Sequence, residues 1–237
     1  NIGNSSDGTL GQSRYSVHLG NNAFNIGDYS TDLCSNSIES SVYSVNVGVG
    51  GGNFAATGSI NIGKTSAYTD YCINIGESAG FTGQQTSSIA IGYNSGSFNQ
   101  GSGSICIGNS ASLTTSGNKN ISIGTLTGNL SGEKSICIGE NAGYSSCGIN
   151  SISIGYNAGY TGLTNNSIAI GSNSVPYNVN NIVVNASNTT ISSSYDNATY
   201  ISSMANLGDT IPENYYKIYY NPTTFELCYV RIIGFVV

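Results

Sequence analysis

The sequence predicts an all-β chain, a parallel β-roll or β-helix solenoid with a small C-terminal β cap. Three observations carry that expectation: a Gly-terminated motif recurring at a nearly constant interval, a composition poor in helix formers, and a change of texture from about Pro176. The repeat is a β-branched residue, a small residue, a second β-branched residue and Gly. Its clean copies are Val45-Asn46-Val47-Gly48, Ile60-Asn61-Ile62-Gly63, Ile73-Asn74-Ile75-Gly76, Ile89-Ala90-Ile91-Gly92, Ile105-Cys106-Ile107-Gly108, Ile121-Ser122-Ile123-Gly124, Ile136-Cys137-Ile138-Gly139, Ile152-Ser153-Ile154-Gly155 and Ile168-Ala169-Ile170-Gly171. The glycines are spaced by 15, 13, 16, 16, 16, 15, 16 and 16 residues, too short a period for a repeat containing a helix.

Degenerate copies are read at Ile2-Gly3, Val17-His18-Leu19-Gly20 and Phe24-Asn25-Ile26-Gly27, and Ile182-Val183-Val184-Asn185 reads as a closing rung. The expected division is therefore 1–187 as solenoid and 188–237 as a Tyr-rich C-terminal β cap or hairpin domain. Within each strand, alternation sends the two Ile to one face and the residue between them to the other. The expectation is that the Ile pairs stack as the core. The Gly supplies a corner where φ is positive or a neighbouring backbone comes close.

Three residues after each Gly stands Ser66, Ala79, Ser95, Ala111, Thr127, Ala142, Ala158 or Ser174, which predicts a second inward position. Tyr68, Phe81, Leu113, Tyr144 and Tyr160, with Phe98 and Leu130 one place later, are expected to close a second apolar face. The ladder between the Ile pairs (Asn46, Asn61, Asn74, Ala90, Cys106, Ser122, Cys137, Ser153, Ala169) is small and uncharged throughout. A solvated face would accept Lys or Glu, so this ladder is expected to pack against another copy of the chain. Asn94, Asn141, Asn157 and Asn173 are expected to satisfy turn backbone and stack amide on amide.

Beyond Pro176 the Gly period ends and Tyr177, Tyr195, Tyr200, Tyr215, Tyr216, Tyr219, Tyr220 and Tyr229 accumulate. Asn221-Pro222-Thr223-Thr224 carries turn chemistry between two alternating strands, the layout of a hairpin. A cap of this kind covers an open solenoid end, which would otherwise pair with another edge.

Composition excludes several functions. Charged residues are 8% of the 237, with 6 Lys+Arg against 12 Asp+Glu and a net charge of −6. No cationic face exists for nucleic acid or an acidic membrane. There are 32 Gly, 31 Asn, 3 Pro and no Trp. The longest apolar run, Leu227 to Val237, is interrupted by Arg231 and is shorter than the roughly 20 residues of a membrane-spanning helix. A leader or anchor is expected only outside this segment.

No catalytic, cofactor-binding or metal-ligating residue is assigned, and the chain is expected not to be an enzyme. His18 is the single His and reads as structural. Glu77 and Glu140 share a rung position but lie four rungs apart, which does not make the paired carboxylates of a glycosidase. Of the six cysteines (Cys34, Cys72, Cys106, Cys137, Cys147 and Cys228), Cys106 and Cys137 fall at one position two rungs apart. Two steps of about 4.8 Å exceed the limit of about 7 Å for a disulfide. The thiols are therefore expected as small apolar fillers of a tight interface, in a chain folded in a reducing compartment.

The runs Ser-Ile-Ala-Ile-Gly-Tyr-Asn-Ser (Ser88 to Ser95) and Ser-Ile-Ser-Ile-Gly-Tyr-Asn-Ala (Ser151 to Ala158) resemble the YadA-like head repeat of trimeric autotransporter adhesins. The resemblance covers the first three quarters of the chain and extends to fibre and surface proteins of phages and giant viruses. It implies a left-handed β-roll in which three identical chains pack around one axis. The period here is mostly 16, longer than the family's coil. The run YKIYYNPTTFELCYV (Tyr216 to Val230) is similar to the hairpins that close such fibres. The expected function is that of a structural fibre or surface-decoration protein on the surface of a virion, contributing to host attachment. The alternative is the head of a bacterial trimeric adhesin at the cell surface, binding host matrix or glycans. The expected partners are two further copies of the chain, capsid or other fibre proteins, and a host-surface receptor or glycan.

Overall fold

The structure, a computed structural model, describes residues 15–19, 24–25, 28–35, 38–39, 42–49, 56–64, 69–187, 189–202, 216–221 and 226–231. Among them there is no helix. Each described clean repeat forms a short strand, Val45–Val49, Ile60–Ile62, Ile73–Ile75, Ile89–Ile91, Ile105–Ile107, Ile121–Ile123, Ile136–Ile138, Ile152–Ile154 and Ile168–Ile170. These lie in one parallel sheet of 13 strands that begins at Val17–His18 and ends at Thr199–Ile201. Register is kept residue for residue: Ile105 pairs Ile121, Cys106 pairs Ser122 and Ile107 pairs Ile123. The chain is a parallel β-solenoid.

A second wall stands opposite the first. Gln100, Ser116, Ser131, Cys147 and Leu163 follow one another in parallel bridges, one per coil. Ala79, Ser95, Ala111, Thr127, Ala142, Ala158 and Ser174 are buried as the spacing from Gly predicted. The corner entering the main strand is drawn in by a hydroxyl: Ser88 Oγ donates to the Gln85 carbonyl at 2.7 Å and Ser135 Oγ to the Gly132 carbonyl at 3.1 Å. Such hydrogen bonds over three residues close a turn without a side chain of any bulk.

The orientation of the strands is the reverse of the expectation. The residue between the two Ile points inward: Asn46, Asn74, Ala90, Cys106, Ser122, Cys137, Ser153 and Ala169 are all fully buried. The Ile point outward, and Ile60, Ile62, Ile123, Ile154, Ile170 and Ile182 are 36–39% exposed. Phe81, Phe98, Leu130 and Tyr160 are likewise outside rather than a second core. The reason is the width of the coil. A Cβ added to Gly143 would meet Cys137 Sγ at 2.7 Å and Cys147 Cβ at 3.1 Å. One added to Gly96 would come within 3.4 Å of Ala90 Cβ. Where Gly80, Gly96, Gly128, Gly143 or Gly159 stands opposite, the interior therefore holds a small side chain against bare glycine, and an Ile pair does not fit.

The Gly that ends each strand behaves as expected. Gly76 has φ 131°, and a Cβ there would stand 2.6 Å from the carbonyl oxygen of Gly92. Backbone conformation and the next rung's carbonyl both reject a side chain. Each coil also turns through left-handed corners two residues later, at Asn94, Asn141, Asn157 and Asn173 with φ of 53° to 56°. Asn tolerates that region better than most residues. Asn141 Nδ2 donates to Asn157 Oδ1 at 3.1 Å and Asn157 Nδ2 to Asn173 Oδ1 at 3.3 Å, the amide stack that the sequence predicted.

At the N-terminal end the register differs from the motif reading. Val17–His18 pairs with Thr31–Ser35, placing Thr31-Asp32-Leu33 on the main ladder. Phe24–Asn25 pairs instead with Ile38–Glu39 in a separate sheet. Thr31-Asp32-Leu33 has Cys34 in register with Gly48, so a search keyed on Gly passes over it. Ile2-Gly3, Gly20, Ile26-Gly27, Ser66 and Tyr68 lie outside the described residues.

The ladder continues past residue 187. Ile182–Val184 pairs with Thr199–Ile201, and Ser174–Val175 with Ile191–Ser192, so rungs extend into the segment expected as cap. The chain divides into two compact units, Asn1–Ser203 and Met204–Val237. The second contains the expected antiparallel hairpin, Tyr216–Asn221 with Glu226–Arg231, in register from Tyr216 opposite Arg231 to Asn221 opposite Glu226.

Paired substitutions test the orientation. Ala90→Leu overfills the interior and is expected to cost about 3 kcal/mol or more in urea denaturation. Ile121→Thr, on the outer face, is expected to leave the far-ultraviolet β signal of the chain intact. The reverse ranking would overturn the inside-out arrangement.

Candidate interaction face

The outward positions of the main ladder form one aliphatic stripe. From Val17 and Leu19 to Ile182 and Val184, every outer pair is Val, Leu or Ile except that Thr31 replaces one member, and Thr199 does so on the final strand. No charged residue enters it. Successive strands rise about 4.8 Å and the two outer residues of a strand lie about 7 Å apart, so the stripe is roughly 58 Å long with a projected area near 400 Å². That equals the largest apolar patches that monomers leave in water. The absence of Lys and Glu, first attributed to the small-residue ladder, applies to this face.

Aromatic ladders run along other edges. Tyr15, Tyr29 and Tyr43 stack with ring centroids 5.1 and 5.2 Å apart, and Tyr144 stacks on Tyr160 at 5.2 Å. Phe81 meets Phe98 edge to face at 6.5 Å. Tyr15, Tyr29, Tyr43 and Tyr71 all occupy left-handed corners with φ of 57° to 61°. Bulky residues are uncommon there, and sequence reasoning missed this ladder because it sits outside the repeat motif, one place before the small residue (Ser16, Ser30, Ser44 or Cys72) that precedes a strand. Tyr93 and Tyr156 point outward, as expected, each 52% exposed.

The interior contains a chain of amides that the motif reading placed outside. Asn46 Nδ2 donates to Asp32 Oδ1 at 2.7 Å, Asn61 Nδ2 to Asn46 Oδ1 at 2.9 Å and Asn74 Nδ2 to Asn61 Oδ1 at 3.0 Å. Gln84 exchanges two hydrogen bonds with Asn74, at 2.9 and 2.7 Å, and its Nε2 also reaches Gln100 Oε1 at 3.2 Å. Gln100 Nε2 ends the run on the carbonyls of Ile89 and Ser104. The amides of this run are tolerated because the rung above or below or the facing wall supplies their partners.

From Cys106 onward the main ladder carries thiols, hydroxyls and methyls, and Asn120, Asn181 and Asn185 are the buried amides that remain among the described residues. Cys72, Cys106, Cys137 and Cys147 are buried free thiols. They fill the coil rather than an interface between copies. Burial pushes the Cys106 thiol up to about 11, although hydrogen bonds from Ser112, Ser116 and Gln100 oppose the shift. The Cys34 and Cys228 side chains lie outside the described set.

Glu77 and Glu140 are both exposed, separated along the rod as expected. No group of three His, Cys, Asp or Glu side chains there could hold a metal ion. His18 falls opposite Asp32 in register, its side chain outside the described set. No helix among the described residues is long and apolar enough to cross a membrane. No family model, curated protein or solved structure matches the chain.

The raised thiol has a consequence at high pH. Cys106 in the unfolded chain ionises near 9.0 and in the coil near 11, so its stabilising effect is complete below pH 9 and is lost as pH rises towards 11. Wild type is expected to lose about 2 to 3 kcal/mol more than Cys106→Ala over that interval, measured by urea denaturation at stepped pH.

Proposed function

We propose that the chain is a non-enzymatic, homotrimeric, left-handed β-solenoid that serves as a structural fibre or surface-decoration protein of a virus particle and contributes to host attachment. The observation that carries this reading is the aliphatic stripe along the whole 13-strand ladder. A face of that length without charge favours a cover of the same length and periodicity, and a second and third copy of the same ladder provide one. Rung meets rung at equal rise, so each Ile pair finds Ile pairs. The YadA-like repeat at Ser88 to Ser95 and Ser151 to Ala158 supports three copies around one axis.

In this reading the hairpin unit closes the fibre as a β cap, and exposed Tyr93 and Tyr156 stand where a receptor or glycan would touch the rod. Capsid or other fibre proteins are its neighbours on the particle. Six cysteines favour a protein assembled inside a cell over one exported through a bacterial envelope. The second reading, a bacterial trimeric adhesin head binding host matrix or glycans, rests on the same repeat motif.

Sedimentation equilibrium of the chain is expected to give three times the chain mass at micromolar concentration. A double substitution on the outer face, Ile105→Lys with Ile107→Lys, is expected to shift the population towards monomer while retaining the β signal. A wild-type chain that remains monomeric under these conditions refutes the trimer.

A further inference from the structure

Within a single coil, two thiols from opposite walls meet. Cys137 is the middle residue of Ile136–Ile138 and Cys147 lies ten positions on, in the facing ladder, with their sulfurs 2.6 Å apart. Both are buried, in an apolar cluster with Ala142, Ala158, Leu163 and Ala169. Gly143 keeps the space between the walls open, since a Cβ there would strike Cys137 Sγ at 2.7 Å and Cys147 Sγ at 3.2 Å. The separation is inside ordinary contact of unbonded sulfurs and outside the roughly 2.05 Å of a bond.

We propose that Cys137 and Cys147 form an intrachain disulfide that covalently closes this one coil. The pair differs from Cys106 and Cys137, which occupy one wall two rungs apart and are too distant to bond. It differs also from a bridge between copies, because both sulfurs face the interior of their own coil.

The oxidant is a low-molecular-weight disulfide such as oxidised glutathione, admitted when the rung opens locally. Cys147 is the attacking thiol: its pKa is lowered by the hydrogen bond donated from Cys137, against the opposing effect of burial. Its thiolate attacks one sulfur of the oxidant, forming a mixed disulfide and expelling one thiolate of the reagent. Cys137 then loses its proton and attacks Cys147 Sγ, the mixed bond breaks, and the second reagent thiol leaves. Two protein thiols are oxidised and one reagent disulfide is reduced to two thiols, with protons balanced between them. Because the two sulfurs are already in contact, the second step needs little further ordering. A chain folded reduced inside a cell would thus become bridged on meeting an oxidising exterior.

The test uses the full chain, purified from a reducing cytosol, incubated with oxidised glutathione and then denatured in guanidinium chloride with excess N-ethylmaleimide and no reductant. Peptide mass mapping is expected to find the Cys137 and Cys147 peptides linked within one chain, with two fewer maleimide adducts than before oxidation. Cys106→Ser is expected to give the same link. Alkylation of both Cys137 and Cys147 after oxidation, glutathione retained on Cys147, or a link from either residue to Cys106 or to another chain would each overturn the proposal. The result does not depend on the trimer.

Discussion

In most coils the two walls stand so close that a glycine lies against the middle residue of the main strand, with Ser112 in that place beside Cys106, and this narrowness decides most of the structure. It limits the interior mostly to Asn, Ser, Ala and Cys, with Asp32 and Val183 on the main ladder and a few larger side chains of the second wall, such as Gln84, Gln100 and Leu163. It drives the Ile pairs outside. It forces the terminal Gly of each strand against the next rung's carbonyl, where no side chain fits. With little apolar volume inside, cohesion within one chain comes from hydrogen bonds repeated from rung to rung, both along the backbone and, in the first half, through the amide chain from Asp32 to Gln100.

The two halves of the interior solve the same spatial problem with different chemistry. The amide half must be satisfied jointly, because removing one member leaves its neighbours with buried and unmet polar groups, a penalty of about 1 to 3 kcal/mol for each. The thiol and methyl half relies on this less, with Asn120 Oδ1 accepting from the Ser135 N–H and Oγ of the next rung at 2.9 and 3.0 Å. Ser112 Oγ lies 2.9 Å from Ser122 Oγ on the next strand of the main ladder and 2.9 Å from the Gly128 carbonyl of the next coil, so hydroxyls there are also held from rung to rung.

Periodicity made the solenoid and its register legible in the sequence, because Gly and the Ile pair recur at fixed distance and parallel pairing follows from stacking equal coils. The small residue three places after Gly was legible for the same reason. The side on which each face lies was not. Alternation divides Ile from Asn or Ala without saying which faces inward, and burial of the larger apolar group, sound for broad sheets, fails where the coil is one small residue wide. The uniform smallness of the Asn46 to Ala169 ladder was itself the signal, and its cause is the opposite wall rather than a neighbouring chain. Thr31-Asp32-Leu33 was missed for lack of a Gly, and the pairing of Cys137 with Cys147 because nothing in the repeat marks which residue faces which across the coil.

The direction of the strand ladder bears on mechanics. Its hydrogen bonds point along the rod, so tension applied end to end loads them in series and peels one rung at a time, the weakest geometry a sheet offers. A single rod of this kind is a poor tether. Copies joined laterally along the aliphatic stripe would share the load across parallel strips, and the strength of the assembly would then reside in the contact between rods.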